Sequence, residues 1–124
     1  MTKTFAKVIR RPEFEKDIKK LLKRYRSLEE DLSIFINTQL HLFHYFAKDN
    51  KGIARIDHLG IDHPKIYKAV KFACKSFPGR GAASGIRVVY AFFEDSNHIE
   101  FVQIYFKGDA ETEDRDRIRS LYSK

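Results

Sequence analysis

Apolar and polar positions change their period several times along the chain. Thr4 to Arg10, "TFAKVIR", alternates small, apolar and charged residues, which predicts a short first strand ended by Pro12, since proline cannot donate to a ladder. From Glu13 to Arg26 the spacing becomes helical. Phe14, Ile18, Leu21, Leu22 and Tyr25 make one apolar stripe, and Lys16, Lys19, Lys20, Lys23 and Arg24 occupy the remaining positions as a solvated basic face. "SLEE" then sets Ser27 at an N-cap position with Glu30 three residues on, the capping-box signature of a second helix. Leu28, Leu32, Phe35, Ile36, Leu42, Phe43 and Phe46 carry its stripe to about Ala47. So little chain separates the two helices that they should form a hairpin.

Lys48 to Pro64 is polar, contains Gly52, Gly60 and Pro64, and reads as a connecting segment. Beyond it the period is two. Tyr67 to Lys75, Ser84 to Phe93 and His98 to Lys107 each alternate, separated by the Gly-rich "PGRGA" and the turn-like "EDSN", so consecutive antiparallel hairpins are expected. Glu111 to Tyr122, with Ile118, Leu121 and Tyr122 apolar, reads as a final, largely charged helix. The whole is an α+β chain: N-terminal strand, helical hairpin, three-stranded antiparallel meander and C-terminal helix. Residues 1–124 read as one domain, with no repeat or low-complexity tract.

Splitting each strand by parity gives one apolar face and one basic face. The apolar set is Val70, Phe72 and Cys74, then Ile86, Val88, Tyr90 and Phe92, then Val102, Ile104 and Phe106. The opposite set is Tyr67, Lys71 and Lys75, then Arg87 and Val89, then Phe101, Gln103, Tyr105 and Lys107, with Arg80 in the nearby loop. If the helical hairpin covers the first face, the second is a partly open surface. Lys68 to Phe93 holds five basic residues and no acidic one, in a chain with a formal net charge of +7 and a pI of about 9.5. An anionic partner follows, and nucleic acid is the commonest. Lys and Arg would meet phosphates, Tyr67, Tyr105 or Phe101 would stack on bases, and no carboxylate is expected there to repel the backbone.

Other chemistry is set aside. Cys74, the single cysteine, is read as a buried small hydrophobe, which excludes a disulfide framework. His41 and His44, three apart, and the Asp-His pairs at His58 and His63 lack the further ligands of a metal site. "PGRGAASG" lacks the Lys-Ser/Thr ending of a phosphate loop and precedes a strand. The start "MTKTFAKVIRR" has no signal-peptide core, and no segment approaches the ~20 apolar residues of a membrane span, so a cytoplasmic protein without membrane contact is expected.

"GIRVVYAFF" followed by "HIEFVQIYFKGD", preceded by "IYKAVKFACK" and by "FEKDIKKLLKRY" with "LEEDL", resembles the RelE/ParE superfamily of type II toxins across nearly the whole chain. The resemblance implies a ribosome-dependent endoribonuclease that enters the ribosomal A site and cuts mRNA by attack of a ribose 2′-hydroxyl on the adjacent phosphate, with no metal or other cofactor. It matches Arg87 in "GIRVVY" to the family's phosphate-stabilising arginine and sets Lys71, with Lys75 or Lys68 as alternatives, on its basic strand. Lys107 begins the cluster at the end of the last strand. The catalytic set is therefore Lys71, Arg87, Tyr105 and Lys107. Lys68, Lys75, Arg80, Tyr67, Gln103 and Arg115 are the expected RNA contacts. The chain departs from the pattern after that strand, where "GDAETEDRDR" is acidic, so Tyr105 or Arg115 stands in for the general acid. A cognate antitoxin is the implied protein partner, and a homodimer is compatible. A ParE-like gyrase inhibitor and a non-catalytic RNA-binding member are the alternatives.

Overall fold

A computed structural model of the chain describes residues 5–46, 51–76 and 84–122. Five strands form one mixed sheet in the order β1-β5-β4-β3-β2, from β1 (Lys7–Arg10), β2 (Ile53–Arg55), β3 (Lys65–Ala69), β4 (Ile86–Phe93) and β5 (His98–Phe106). β1 runs parallel to β5, and the other neighbours are antiparallel. The α+β architecture expected from the sequence is present, with one strand more. β2 lies inside the segment read as a connection, where three residues are too few for a period of two to register.

Pro12 does more than end β1. It is the first residue of α1 (Pro12–Leu22), where its fixed φ suits a helix and its missing N–H costs nothing, and Glu13 and Glu15 follow in the first turn. Phe14, Ile18 and Leu21 are buried against the sheet, with the Phe14 ring 5.3 Å from that of Phe101. The capping box does not form. Ser27 has helical backbone angles, and its hydroxyl donates to Asp31 Oδ2 at 2.6 Å and accepts the Ser76 N–H at 3.0 Å. Asp31, 4% exposed, also accepts the Lys75 N–H at 3.2 Å. Ser27 and Asp31 thus tie the helix to the turn after β3, and Glu30 is drawn to the Lys75 side chain.

α2 (Leu28–Phe35) runs into a π-helical turn, Ile36–Leu40, and on into α3 (His41–Phe46). The wide turn inserts one residue into the stripe. Leu40 is therefore buried where a uniform helix would present its neighbours, while Leu42 and Phe46, expected in the core, are 44% and 55% exposed. His44 takes the inward position. Its ring lies 4.2 Å from Phe92 and 5.2 Å from Tyr67, and Nε2 is 2.8 Å from the Tyr90 hydroxyl.

Both faces of the sheet are covered. Against the first pack α1, α2 and α3, around Phe14, Leu28, Phe35, Phe72, Tyr90 and Phe101. Against the second pack α4 (Arg115–Tyr122) and the loop after β2, around Ile56, Leu59, Ile66, Val89, Tyr105 and Ile118. β4 accordingly buries Ile86, Val88 and Tyr90 one way and Val89 and Ala91 the other, and a strand dry on both sides reads as a continuous apolar run. The expected open face is thus a second core except at one corner. Two phase shifts accompany it. A bulge where β4 passes Val89/Tyr90 pairs Val89 with Gln103 and Tyr90 with Phe101, which turns Phe101 into the first core and Val102 into the second. β3 ends at Ala69, earlier than read, so Tyr67 faces the first core and stacks on Tyr90 at 5.4 Å. Neither Tyr67 nor Phe101 is presented to a base.

Burial lowers the His44 pKa from 6.5 to about 4, with Lys65 acting in the same sense and Glu94 against it. The unfolded chain therefore binds more protons than the native one between those values. Stability should fall as pH drops from about 6.5 to about 4, by up to roughly 3 kcal/mol, and be insensitive to this group above 6.5. Urea midpoints across that range should show a shallower pH dependence in His44→Phe than in the unsubstituted chain. Equal slopes would refute the assignment.

Candidate functional site

The cations that remain near one another lie on the α4 side, at the corner where β4 begins and β5 ends. Arg87 and Tyr105 are direct cross-strand partners there. Lys107 follows, its N–H donating to the Gly85 carbonyl at 2.9 Å. Gly85 has φ +85°, and a Cβ built on it would come within 3.0 Å of Phe106 Cε1 and 3.2 Å of Lys107 Cγ. The glycine of "GIR" is thus required twice, by its backbone angle and by the lysine stem lying over it. Arg87 donates from one guanidinium nitrogen to the Val70 carbonyl at 2.7 Å, which holds it beside the end of β3. Lys71, just beyond, is exposed.

Next to this pair lies the row Lys68, Val89, Gln103. Here the expectation of a face without carboxylates fails. Glu113, 5% exposed, turns inward and meets Lys68 Nζ at 2.7 Å through one oxygen and Arg115 Nε at 3.0 Å through the other. Burial alone would raise its pKa, but the hydrogen bonds from Lys68, its own backbone N–H and Thr112, with the Lys68 charge, hold it at about 2. The carboxylate is ionised at any physiological pH.

Tyr105 is 7% exposed. Burial, and secondarily the Glu113 charge, raise its pKa against the opposing effect of Arg87, so the phenol keeps its proton.

The other expected contacts are placed elsewhere or already engaged. Lys75 sits in the turn after β3 and pairs with Glu30, away from the corner. Gln103 uses its carbonyl to accept the Asp114 N–H at 2.8 Å, anchoring the start of α4. Arg115 is held by Glu113 and by the Asp57 carbonyl at 2.8 Å. Tyr67 belongs to the first core, and Arg80 lies outside the described residues.

Glu113 was the residue sequence reasoning missed. A signal existed: Asp114 accepts the Arg117 N–H at 3.0 Å, so α4 begins at Arg115 rather than Glu111, and a helix starting there leaves Glu113 free to turn toward the sheet. Arg117 was also passed over. It donates to Asp17 Oδ2 at 2.7 Å and to the Val102 carbonyl at 2.9 Å, while Asp17 accepts the Ile104 N–H at 3.3 Å, so an α1–α4 ion pair covers the β5 edge where β1 has ended. Past it, a cleft of about 410 Å³ is lined by Asp17, Lys20, Leu21, Arg24, Ile104, Tyr105, Phe106 and Asp109.

Among the described residues, no three or more His, Cys, Asp or Glu side chains are grouped to hold a metal ion, and no helix is long and apolar enough to cross a membrane. No family model matches the sequence, and no curated protein does. Among solved structures, the chain is similar to the archaeal RelE-RelB complex from Pyrococcus horikoshii OT3, with 18% identity over 89% of this chain and 100% of that one and a TM-score of 0.48. At that level of likeness, function rests on the residues themselves.

Gly85→Ala should cost about 1–3 kcal/mol, because the new methyl meets Phe106 and Lys107 in a backbone conformation only glycine holds without strain. Chemical denaturation measures it. A stability unchanged from that of the parent chain would mean that Gly85 is not constrained as described.

Proposed function

We propose that this protein is a RelE-type toxin that cleaves mRNA on the ribosome and is held in check by a cognate antitoxin in the cytoplasm. The observation that carries the reading is the corner itself: Arg87 and Tyr105 paired across β4 and β5, with Lys107 just past the end of β5. The sequence resemblance assigns the same residues to phosphate chemistry. In the proposed step a ribose 2′-hydroxyl gives up its proton to solvent water and attacks the neighbouring phosphorus, the bond to the 5′-oxygen breaks, and a 2′,3′-cyclic phosphate remains. Arg87 would exchange the Val70 carbonyl for a phosphate oxygen and offset charge developing on the phosphorane. The Tyr105 phenol, kept protonated by its burial, would give its proton to the departing 5′-oxygen. Lys107 and Lys71 would hold the flanking phosphates. Lys68 and Arg115 could do so only after release from Glu113.

A non-catalytic RNA-binding module is the second reading, favoured by the 7% exposure of Tyr105. Induction in bacteria with transcript ends mapped separates the two. The proposal expects translation arrest and cuts at codon-fixed positions ending in cyclic phosphate; arrest or RNA association with intact transcripts supports the module, and stalled replication forks with intact mRNA would point to a gyrase inhibitor.

Arg87→Ala should lower cleavage on translating ribosomes on the order of a hundredfold or more, while its lost bond to Val70 costs only about 1 kcal/mol of stability. Cleavage at the parent rate by the folded variant would remove Arg87 from the site.

A further inference from the structure

Glu113 is an unusual occupant for a cationic surface. A carboxylate 3% exposed at its side chain is costly to bury, and the cost is offset here by Lys68 on one oxygen and Arg115 on the other. Two cations on two oxygens of one anion is how a phosphate is held. Lys68 is also the diagonal neighbour of Arg87, because its cross-strand partner Val89 is two residues along β4, and such neighbours lie about 7–8 Å apart. The segment that delivers Glu113 is irregular, with no strand or helix between Phe106 and Arg115. Its ends are anchored, by Lys107 on the Gly85 carbonyl and by Asp114 on Gln103, Arg117 and Ile118, while between them it has two turn bonds to the Phe106 carbonyl and the Arg24–Asp109 ion pair. Chain outside regular secondary structure opens at lower free-energy cost than the strands and helices that flank it.

We infer that Lys68 and Arg115 form a phosphate-binding site beside Arg87 that the chain fills with its own Glu113, so that a phosphate group of a ligand binds there by displacing the Glu113 carboxylate. The inference deepens the proposed function, on which its relevance to RNA rests: the strand would enter with one phosphate at Arg87 and another taking the place of Glu113. The self-occupied state lowers apparent affinity by the fraction of molecules in which the site is open. Mild acid does not open it, since the carboxylate remains ionised.

The test uses inorganic phosphate as the probe, titrated by calorimetry at constant ionic strength against the full chain. Glu113→Gln keeps the shape and removes the charge, and should bind phosphate about tenfold or more tightly than the parent. Adding Lys68→Ala to that variant should abolish the gain. Equal affinity in a Glu113→Gln protein with the parent's circular dichroism, or a gain that survives Lys68→Ala, would overturn the inference. If Glu113→Gln does not fold, Glu113→Asp, which withdraws the charge by one methylene, carries the same test: tighter binding supports the site and equal binding overturns it. Intact mRNA in cells would defeat the proposed function and leave this result untouched, whereas cleavage with no gain in phosphate binding would do the reverse.

Discussion

β4 is the middle strand of five and is packed by helices on both sides, and the placement of every charged group near the sheet depends on that. A strand buried on two faces leaves no room for cations along its length. They are confined to its first turn-out from the core, where Arg87 is only partly buried and Gly85 admits the Lys107 stem. The second core, built on Ile118 and Val89, brings α4 over the sheet and with it Glu113. Burial thus determines both where the basic corner lies and what neutralises half of it.

The sequence made the element order legible because long periodic segments, α1, β4 and β5, dominate it. The parity of β4 was read correctly, since its first-face residues Ile86, Val88, Tyr90 and Phe92 all join the first core. What could not be read were shifts of one residue. The π-helical turn at Ile36–Leu40 and the bulge opposite Val89/Tyr90 each move the stripe by a single position, and neither has a composition signature. From those slips follow the misplacement of Leu42, Phe46, Phe101 and Val102. Tyr67 and Lys75 were misplaced because β3 ends at Ala69, before the basic residues that seemed to extend it.

Charge was harder still. A net charge of +7 describes the chain and not the corner, where pairing decides what an anion meets. Lys75 is answered by Glu30, Lys68 and Arg115 by Glu113, and Arg24 by Asp109. Exposed pairs of this kind contribute little to stability, but the Glu113 carboxylate is buried and meets both of its cations. Lys16, Lys19, Lys20 and Lys23 are exposed along α1 and supply long-range attraction for a polyanion without any geometry suited to chemistry.

The central claim, that the Arg87 corner receives the scissile phosphate, is tested most directly by a structure of the protein on a ribosome whose A-site mRNA carries a blocking 2′-O-methyl group. The account predicts that Arg87 leaves the Val70 carbonyl for a phosphate oxygen at hydrogen-bond distance, with the Tyr105 hydroxyl beside the 5′-oxygen of the next nucleotide. An mRNA lying along the lysines of α1, with Arg87 still on Val70, would contradict it.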